Sequence, residues 1–414
     1  MKVYVTGSGI VSALGAGCEA TLDSLLNERP GIGRVRHLAT EHVEFPVGEV
    51  PLSNAETDAT LGVGYPESGL RTVLLGIMAG REAIVSARLS RSDIREAAFI
   101  SGTTVGGMDR TEQFFKSAFD SNSESEDSTE LRFNDCGCST ELIADRLGRF
   151  RMVTTSSTAC SSAANAIILG ANLIKAGVTD IVVAGGSEAL TRFHLNGFNT
   201  LMILDRERCR PFDRDRAGIN LGEGAAYIVL ESEESMKRRG MTPLAELSGY
   251  ANTCDAFHQT ASSENGEGAY RAMREAMDMA RLTPADISYV NAHGTGTPNN
   301  DETELAAMER IWTHGLPPFS STKSLTGHTT SASGAIESVI SLLAMSHGFL
   351  PVNRVWKTPI QQGAVPVHQS GTKCNIKHII NNSFGFGGND SSLIFSAVNK
   401  TAGSDAANFN ETDS

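Results

Sequence analysis

The chain has 414 residues, 40% of them hydrophobic and 20% charged, with 41 glycines and a formal net charge of −13. That length supports two ordinary domains or one large α/β unit with an ample core, while the acidic balance and the lack of a Lys/Arg cluster argue against non-specific nucleic-acid binding. Seven cysteines without framework spacing point to a reducing, cytoplasmic setting, and no apolar run approaches the roughly 18–20 residues of a membrane span.

The N-terminus, MKVYVTGSGIVS, reads as a strand followed by a glycine turn, without the three regions of a signal peptide. Its TGSGIVS imitates a dinucleotide turn but lacks the third glycine of G-x-G-x-x-G. ATLDSLLNE and GLRTVLLGIMAGREAIVSA have helical periodicity, and EAAFISG is strand-like. The acidic stretch DSNSESEDSTE (120–130) reads as an exposed loop or mobile insertion. CGC (136–138) has no second Cys or His pair to complete a zinc site, so no metal is expected. The helix AANAIILGANLIKAG and the strands DIVVAGG and AAYIVLE follow.

Hydrophobicity dips at ESEESMKRRGMTP (231–243), which divides the chain into halves 1–242 and 243–414. The second half repeats the theme. LAELSGYANTC and DISYVNAHG are strands; GAYRAMREAMDMARL, DETELAAMERIWTHG and SASGAIESVISLLAMSHG are helices. CNIKHIINNSFGFGG and SSLIFSAV are the closing strands, and the tail NKTAGSDAANFNETDS reads as disordered. Such alternation predicts an α/β fold with helices packed on mixed sheets.

Four stretches carry chemistry-bearing residues. In TACSSA, Cys160 lies between a polar run and a small-residue helix. A thiol at a helix N-terminus is expected to have a lowered pKa, although a free Cys is commonly a core residue. His293 enters a Gly/Thr loop at the end of a strand in NAHGTGTP, and His328 follows a Lys-containing turn in STKSLTGH. Alternating Gly and Phe in NNSFGFGGND (381–390) make a turn whose N–H groups can converge on one point.

Together with CRPFDRDRAGINLGEGAAYIVLE (209–231), these stretches resemble the β-ketoacyl-[acyl carrier protein] synthases over nearly the whole chain, in order and spacing. The likeness is to the elongating Cys-His-His enzymes of fatty acid and polyketide synthesis. It implies a thiolase-like fold of two similar halves in a layered αβαβα arrangement. It also implies an acyltransferase that performs a decarboxylative Claisen condensation of a Cys160-bound acyl group with malonyl-carrier protein. By the same resemblance, Cys160 is the nucleophile, His293 and His328 hold the thioester carbonyl as neutral imidazoles, and Lys323 supports the site's electrostatics. The backbone N–H groups of Cys160 and Phe386 form the oxyanion hole, and Phe386 gates the acyl pocket. Asp301 matches the carboxylate that follows the first histidine loop and Glu337 the buried acid of the helix after His328, both standing behind the reacting groups, and Thr295 and Thr297 bind the phosphopantetheine arm. No cofactor is expected beyond that arm, which the carrier protein brings. The partners implied are acyl carrier protein and a second subunit, giving a homodimer or a heterodimer with a chain-length-factor-like chain.

The run after His328, TTSASGA, is more polar than the family's LLGAAGA type. Arg71, or else Arg206, Arg208 and Arg210, are the candidates for carrier-protein docking. A non-catalytic chain-length factor is the alternative reading, but such subunits lack the cysteine. A thiolase would carry a second cysteine in the Gly-Phe turn, and a priming synthase an Asn in place of one histidine. The stretch RFHLNGFNTLMILDRERCRPFD (192–213) suggests a pathway-dedicated synthase, such as one for aryl polyenes.

Overall fold

The computed structural model describes residues 1–64, 69–113, 128–371 and 373–398. Its strands are β1 (Val3–Ser12), β2 (Gly15–Ala16), β3 (Ala98–Gly102), β4 (Met152–Ser156), β5 (Ile181–Glu188), β6 (Gly224–Ser232), β7 (Ala245–Cys254), β8 (Tyr289–Asn291), β9 (Phe319–Ser320), β10 (His378–Gly385) and β11 (Asn389–Ser396). They form one hydrogen-bonded sheet in the order β4-β3-β5-β6-β1-β7-β11-β10-β8-β9, with β2 folded back on β1. Leaving β2 aside, each half has the strand order third, second, fourth, fifth, first. The halves meet where their two first strands, β1 and β7, pair antiparallel through Tyr4–Glu246 and Val5–Ala245. The parallel and antiparallel pairings also repeat from half to half.

Six helices position the site: α1 (Arg71–Ser86), α2 (Cys136–Leu147), α3 (Ser162–Lys175), α4 (Glu267–Ala280), α5 (Pro298–Ile311) and α6 (Ser333–His347). Side chains alternate across a strand, so each part of the sheet offers an apolar face to two helix layers. On one outer face Val73, Leu74, Ile77 and Ile143 of α1 and α2 pack on Phe99, Val183 and Tyr227. On the other, Met273 and Met277 of α4 and Met308 of α5 pack on Val290, Ile380 and Ile394. Between the sheet halves α3 and α6 are covered on both sides, burying Ile167, Ile174, Ile336 and Val339 against Val182, Ile228, Leu247 and Leu393. Each such side chain contributes about 2 kcal/mol by leaving water. Helices covered over most of their surface need apolar and small residues on most faces, which is what SAANAIILGANLIK and SGAIESVISLLAMSH supply, with Leu169, Asn172 and Lys175 of α3 and Ser346 and His347 of α6 left exposed.

The N-terminal glycines behave differently from the expected turn. β1 continues through Gly7 and Gly9 to Ser12. A Cβ at Gly7 would lie 2.6 Å from that of Ala87, and one at Gly9 would lie 2.1 Å from the Ala79 carbonyl oxygen. Close packing of α1 on the strand, not turn geometry, explains these glycines. Two elements carry no clear sequence signal. α2 begins in CGC, where Asp135 caps it by accepting the Gly137 N–H at 2.7 Å. The polar MVTTS forms β4, the half-exposed edge strand that delivers the chain to Cys160.

The acidic stretch 120–130 falls outside the described residues except for 128–130, which open a short 3₁₀ helix (Ser128–Asn134). The tail 399–414 lies outside them entirely. Among the described residues no helix is long and apolar enough to cross a membrane.

Gly9→Ala is expected to overpack the α1–β1 contact and to cost about 2 kcal/mol. Gly197, where an added Cβ would meet nothing within 4 Å among the described residues outside its own helix, serves as the control. Thermal melts should show a lowered midpoint for Gly9→Ala and none for Gly197→Ala; equal midpoints would remove the packing explanation.

Candidate active site

β4 ends at Ser156, and the chain turns through Thr158 and Ala159 before α3 begins at Ser162. Ala159 adopts φ 53°, a left-handed conformation unusual for a residue with a Cβ. The turn is held by Ser162 Oγ, which accepts the Thr158 N–H at 2.9 Å, and Ser161 Oγ lies 2.7 Å from the Thr158 carbonyl. Cys160 is thereby presented two residues ahead of α3, buried, with Sγ 3.0 Å from His328 Nε2. The backbone N–H groups of Phe386 and of Cys160 itself also face the sulfur.

The β10–β11 turn is fixed to the cysteine turn by Asn389. Its Oδ1 accepts from Ser161 Oγ (2.8 Å), Asn165 Nδ2 (2.8 Å) and Asn252 Nδ2 (2.7 Å). Three donors on one carbonyl oxygen tie the cysteine turn, α3 and β7 to the residue that follows Gly385–Gly388. Nothing in the sequence singled Asn389 out, because each of its partners is far away along the chain.

His293 follows β8. Its N–H and that of Gly294 donate to the two carboxylate oxygens of Glu304 on α5, both at 2.8 Å, and Asn382 Nδ2 adds a third bond at 3.0 Å. Glu304, like Asn389, belongs to no motif that marks it as a site residue. Its spacing from Asp301, three residues on one helix face, is the signal that could have found it. Asp301 accepts N–H groups from Phe212 (2.8 Å) and Gly296 (3.1 Å) and faces Arg216 at 3.7 Å. Two buried carboxylates on one turn of α5 therefore hold both ends of the His293 loop. In that loop Thr295 and Thr297 share a hydroxyl–hydroxyl bond of 2.8 Å.

His328 is placed by its N–H bond to the Asn220 carbonyl (2.7 Å), and its Nδ1 meets Ser333 Oγ at 2.8 Å. The His293 and His328 rings stand edge-on, with centroids 5.4 Å apart. Lys323 is fully buried and paired with Glu337 Oε1. A cavity of about 390 Å³ opens onto Cys160, His293, His328, Thr295, Thr297 and Phe386. On one side it is lined by Phe198, Leu201, Met202 and Ile203, with Phe198 stacked on Phe386 at 5.9 Å.

The electrostatics follow from burial. Burial pushes the Cys160 thiol up to about 11, opposed by the Lys323 charge and the Phe386 N–H. The low thiol pKa expected from a helix N-terminus is not met, because full desolvation outweighs the dipole. Both imidazoles are held well below their ordinary value by burial and by Lys323, so they are neutral. Burial raises Glu337 to about 7, with Lys323 pulling the other way.

Two family models match the chain: the β-ketoacyl synthase N-terminal domain over residues 1–235 and the β-ketoacyl synthase C-terminal domain over residues 244–355. The chain belongs to the β-ketoacyl synthase family. It is similar to the 3-oxoacyl-[acyl-carrier-protein] synthase 2 of Staphylococcus aureus (strain N315), 31% identical over 407 residues, 95% of this chain and 98% of that protein. Among solved structures it resembles the ishigamide ketosynthase/chain length factor at TM-score 0.89 and 31% identity, over 96% of this chain and 99% of that one. It also resembles a chain in the solved structure of a type II polyketide synthase acyl-carrier protein in complex with its ketosynthase bound to the hexaketide, at TM-score 0.86 and 26% identity, over 96% of this chain and 99% of that one. The layered arrangement described above is the thiolase-like fold of such ketosynthases, and the family's enzymes are acyltransferases.

One expectation for this ketosynthase needs correcting. Arg71 cannot serve carrier-protein docking, because it is buried and its guanidinium is bound to Glu223. Arg206 and Arg208 are exposed and Arg210 is half-buried. Part of the stretch preceding Arg71, residues 65–68, lies outside the described residues.

Lys323→Ala is expected to leave Glu337 buried without its cation and to cost about 3 kcal/mol. Protonation relieves that deficit, since the raised Glu337 pKa makes the neutral acid accessible as pH falls. Melts at pH 8 and pH 5.5 should show a smaller loss at the lower pH. A loss independent of pH would contradict the pairing.

Proposed function

We propose that this chain is an elongating β-ketoacyl-[acyl carrier protein] synthase, with Cys160, His293, His328 and Lys323 as its chemical groups. The observation that carries the reading is the convergence of Cys160 Sγ, His328 Nε2 at 3.0 Å and the Phe386 N–H on one cavity shared with His293.

In the first half-reaction the sulfur attacks the carbonyl carbon of an acyl thioester on the carrier protein's phosphopantetheine. The tetrahedral oxyanion is stabilised by the N–H groups of Cys160 and Phe386, each such donor being worth about 3 kcal/mol. The phosphopantetheine sulfur leaves, takes up the proton lost from Cys160, and the acyl group stays on Cys160. Malonyl-carrier protein follows. Its C–CO₂ bond breaks and the electron pair flows toward the thioester oxygen, where Nε2–H groups of the two neutral imidazoles donate. Neutral rings suit this work, since each can donate without first losing a proton to water. The enolate carbon then attacks the acyl carbonyl on Cys160, forming the new C–C bond and expelling the thiolate. Lys323 supplies the positive charge that keeps this buried site balanced, with Glu337 as its partner. Asp301 holds the His293 loop, and Thr295 and Thr297 line the approach where an extended amide-bearing arm would lie. No cofactor of the protein's own enters these steps.

The apolar lining Phe198, Leu201, Met202 and Ile203, gated by Phe386, supports an apolar or conjugated acyl chain, as in fatty acid, polyketide or aryl-polyene elongation. The half-exposed edge strand β4, with Met152 and Val153 each 38% exposed, supports pairing with a second subunit, either a copy or a chain-length-factor-like chain. With Cys160 in place, this chain is read as the catalytic member. The halves 1–242 and 243–414 are read as the two copies of the repeated strand order, and seven free thiols support a cytoplasmic setting.

Incubation with acyl- and malonyl-carrier proteins should give an acyl adduct on Cys160 by intact-mass spectrometry and then a chain longer by two carbons. Cys160→Ala should give neither. Elongation by Cys160→Ala at the wild-type rate would sink the proposal.

A further inference from the structure

His328 and His293 are both buried and neutral, yet only one has its second ring nitrogen satisfied. His293 Nδ1 has no hydrogen-bond partner among the described residues. His328 Nδ1 lies 2.8 Å from Ser333 Oγ, the first residue of α6, and that hydroxyl is in turn 3.3 Å from Thr329 Oγ1. The polar run after His328 is what makes this possible. Ser331 Oγ–H donates to Glu188 Oε2 at 2.5 Å, and Glu188 is itself held by Thr103 Oγ1 (2.8 Å) and the Thr104 N–H (2.7 Å). That bond anchors the turn between His328 and α6, so Ser333 is delivered to the ring at a fixed place. An alanine at 333 would leave Nδ1 buried without this partner.

We propose that Ser333 is a positioning residue for His328: its hydroxyl donates to Nδ1, which places the ring's one N–H on Nε2, aimed at Cys160 and the thioester carbonyl. A neutral imidazole has one donor nitrogen and one acceptor nitrogen, so a partner that donates at Nδ1 selects the Nε2–H tautomer. The Thr329 hydroxyl can complete the chain by donating to Ser333 Oγ. The charged or titratable groups facing His328 are Lys323, His293, His194 and Cys160. None of them competes for Nδ1. The tautomer assignment stands on geometry alone; its catalytic consequence rests on the function proposed above.

Two readouts test the inference. In protein carrying ring-¹⁵N histidine, the His328 signals, identified by their loss in His328→Ala, should show an unprotonated Nδ1 and a protonated Nε2. Ser333→Ala should broaden or mix that pattern, and Ser333→Thr should restore it. In the second readout, kcat for malonyl-carrier-protein decarboxylation should fall about tenfold in Ser333→Ala, the worth of one neutral hydrogen bond. KM and acyl loading of Cys160 should stay unchanged, and Ser333→Thr should recover the rate. A wild-type Nδ1–H tautomer, or a Ser333→Ala protein with unchanged ring signals and decarboxylation, overturns the assignment. The nitrogen signals need no carrier protein, so failure of the proposed reaction would be told apart from failure of the Ser333 role.

Discussion

The two central helices approach so closely at their N-termini that only glycine fits between them. A Cβ on Gly334 of α6 would lie 2.9 Å from both the Cβ and the backbone nitrogen of Ala164 on α3, and 2.8 Å from Ser383 Oγ on β10. Cys160 lies two residues before α3 and His328 five before α6. Their separation of 3.0 Å is therefore a consequence of how tightly the helix starts meet. Core packing is stiff, so a larger residue at 334 would press first on Ser383 and Ala164 and, through the start of α3, on the turn that carries Cys160. The repeated strand order explains why the starts meet at all, since each half sends the helix after its third strand into the same central layer.

Around that contact the reacting side chains are buried, and burial sets their charge state. Desolvation raises the Cys160 thiol and lowers both imidazoles, each in the direction of the neutral form. Lys323 bears on all three, helping the thiolate while further discouraging imidazolium. Glu337 keeps that ammonium tolerable in the interior. A thiol that is neutral until substrate and oxyanion donors assemble, beside rings that donate without carrying charge, fits thioester chemistry in which negative charge appears only transiently. The nearby acids Asp301 and Glu304 act on the backbone of the His293 loop.

Much of this was legible in the chain. Regular alternation of strand and helix patterns marks the α/β architecture, and four short motifs mark Cys160, His293, His328 and Phe386. What stayed hidden is long-range. Asn389 and Glu304 join segments separated by many residues, and a hydrogen bond between distant positions leaves no periodic trace. β4 was invisible because an edge strand with one exposed face reads as polar loop. Gly7 and Gly9 looked like a turn because sequence shows the absence of a side chain but not the helix pressed against it. Arg71 looked like a surface cation until Glu223, far along the chain, was found beside it. The polar run TTSASGA was visible as a departure, but only the geometry showed which hydroxyl meets which atom.

The central claim is a division of labour: sulfur and oxyanion donors transfer the acyl group, while the two imidazoles drive loss of CO₂. Release of CO₂ from malonyl-carrier protein, measured beside acyl loading of Cys160 in His293→Ala and His328→Ala, tests it most directly. The account predicts that both variants still load the acyl group while decarboxylation falls by about a hundredfold or more, the usual range for a positioned proton donor. Wild-type CO₂ release by both variants would contradict it.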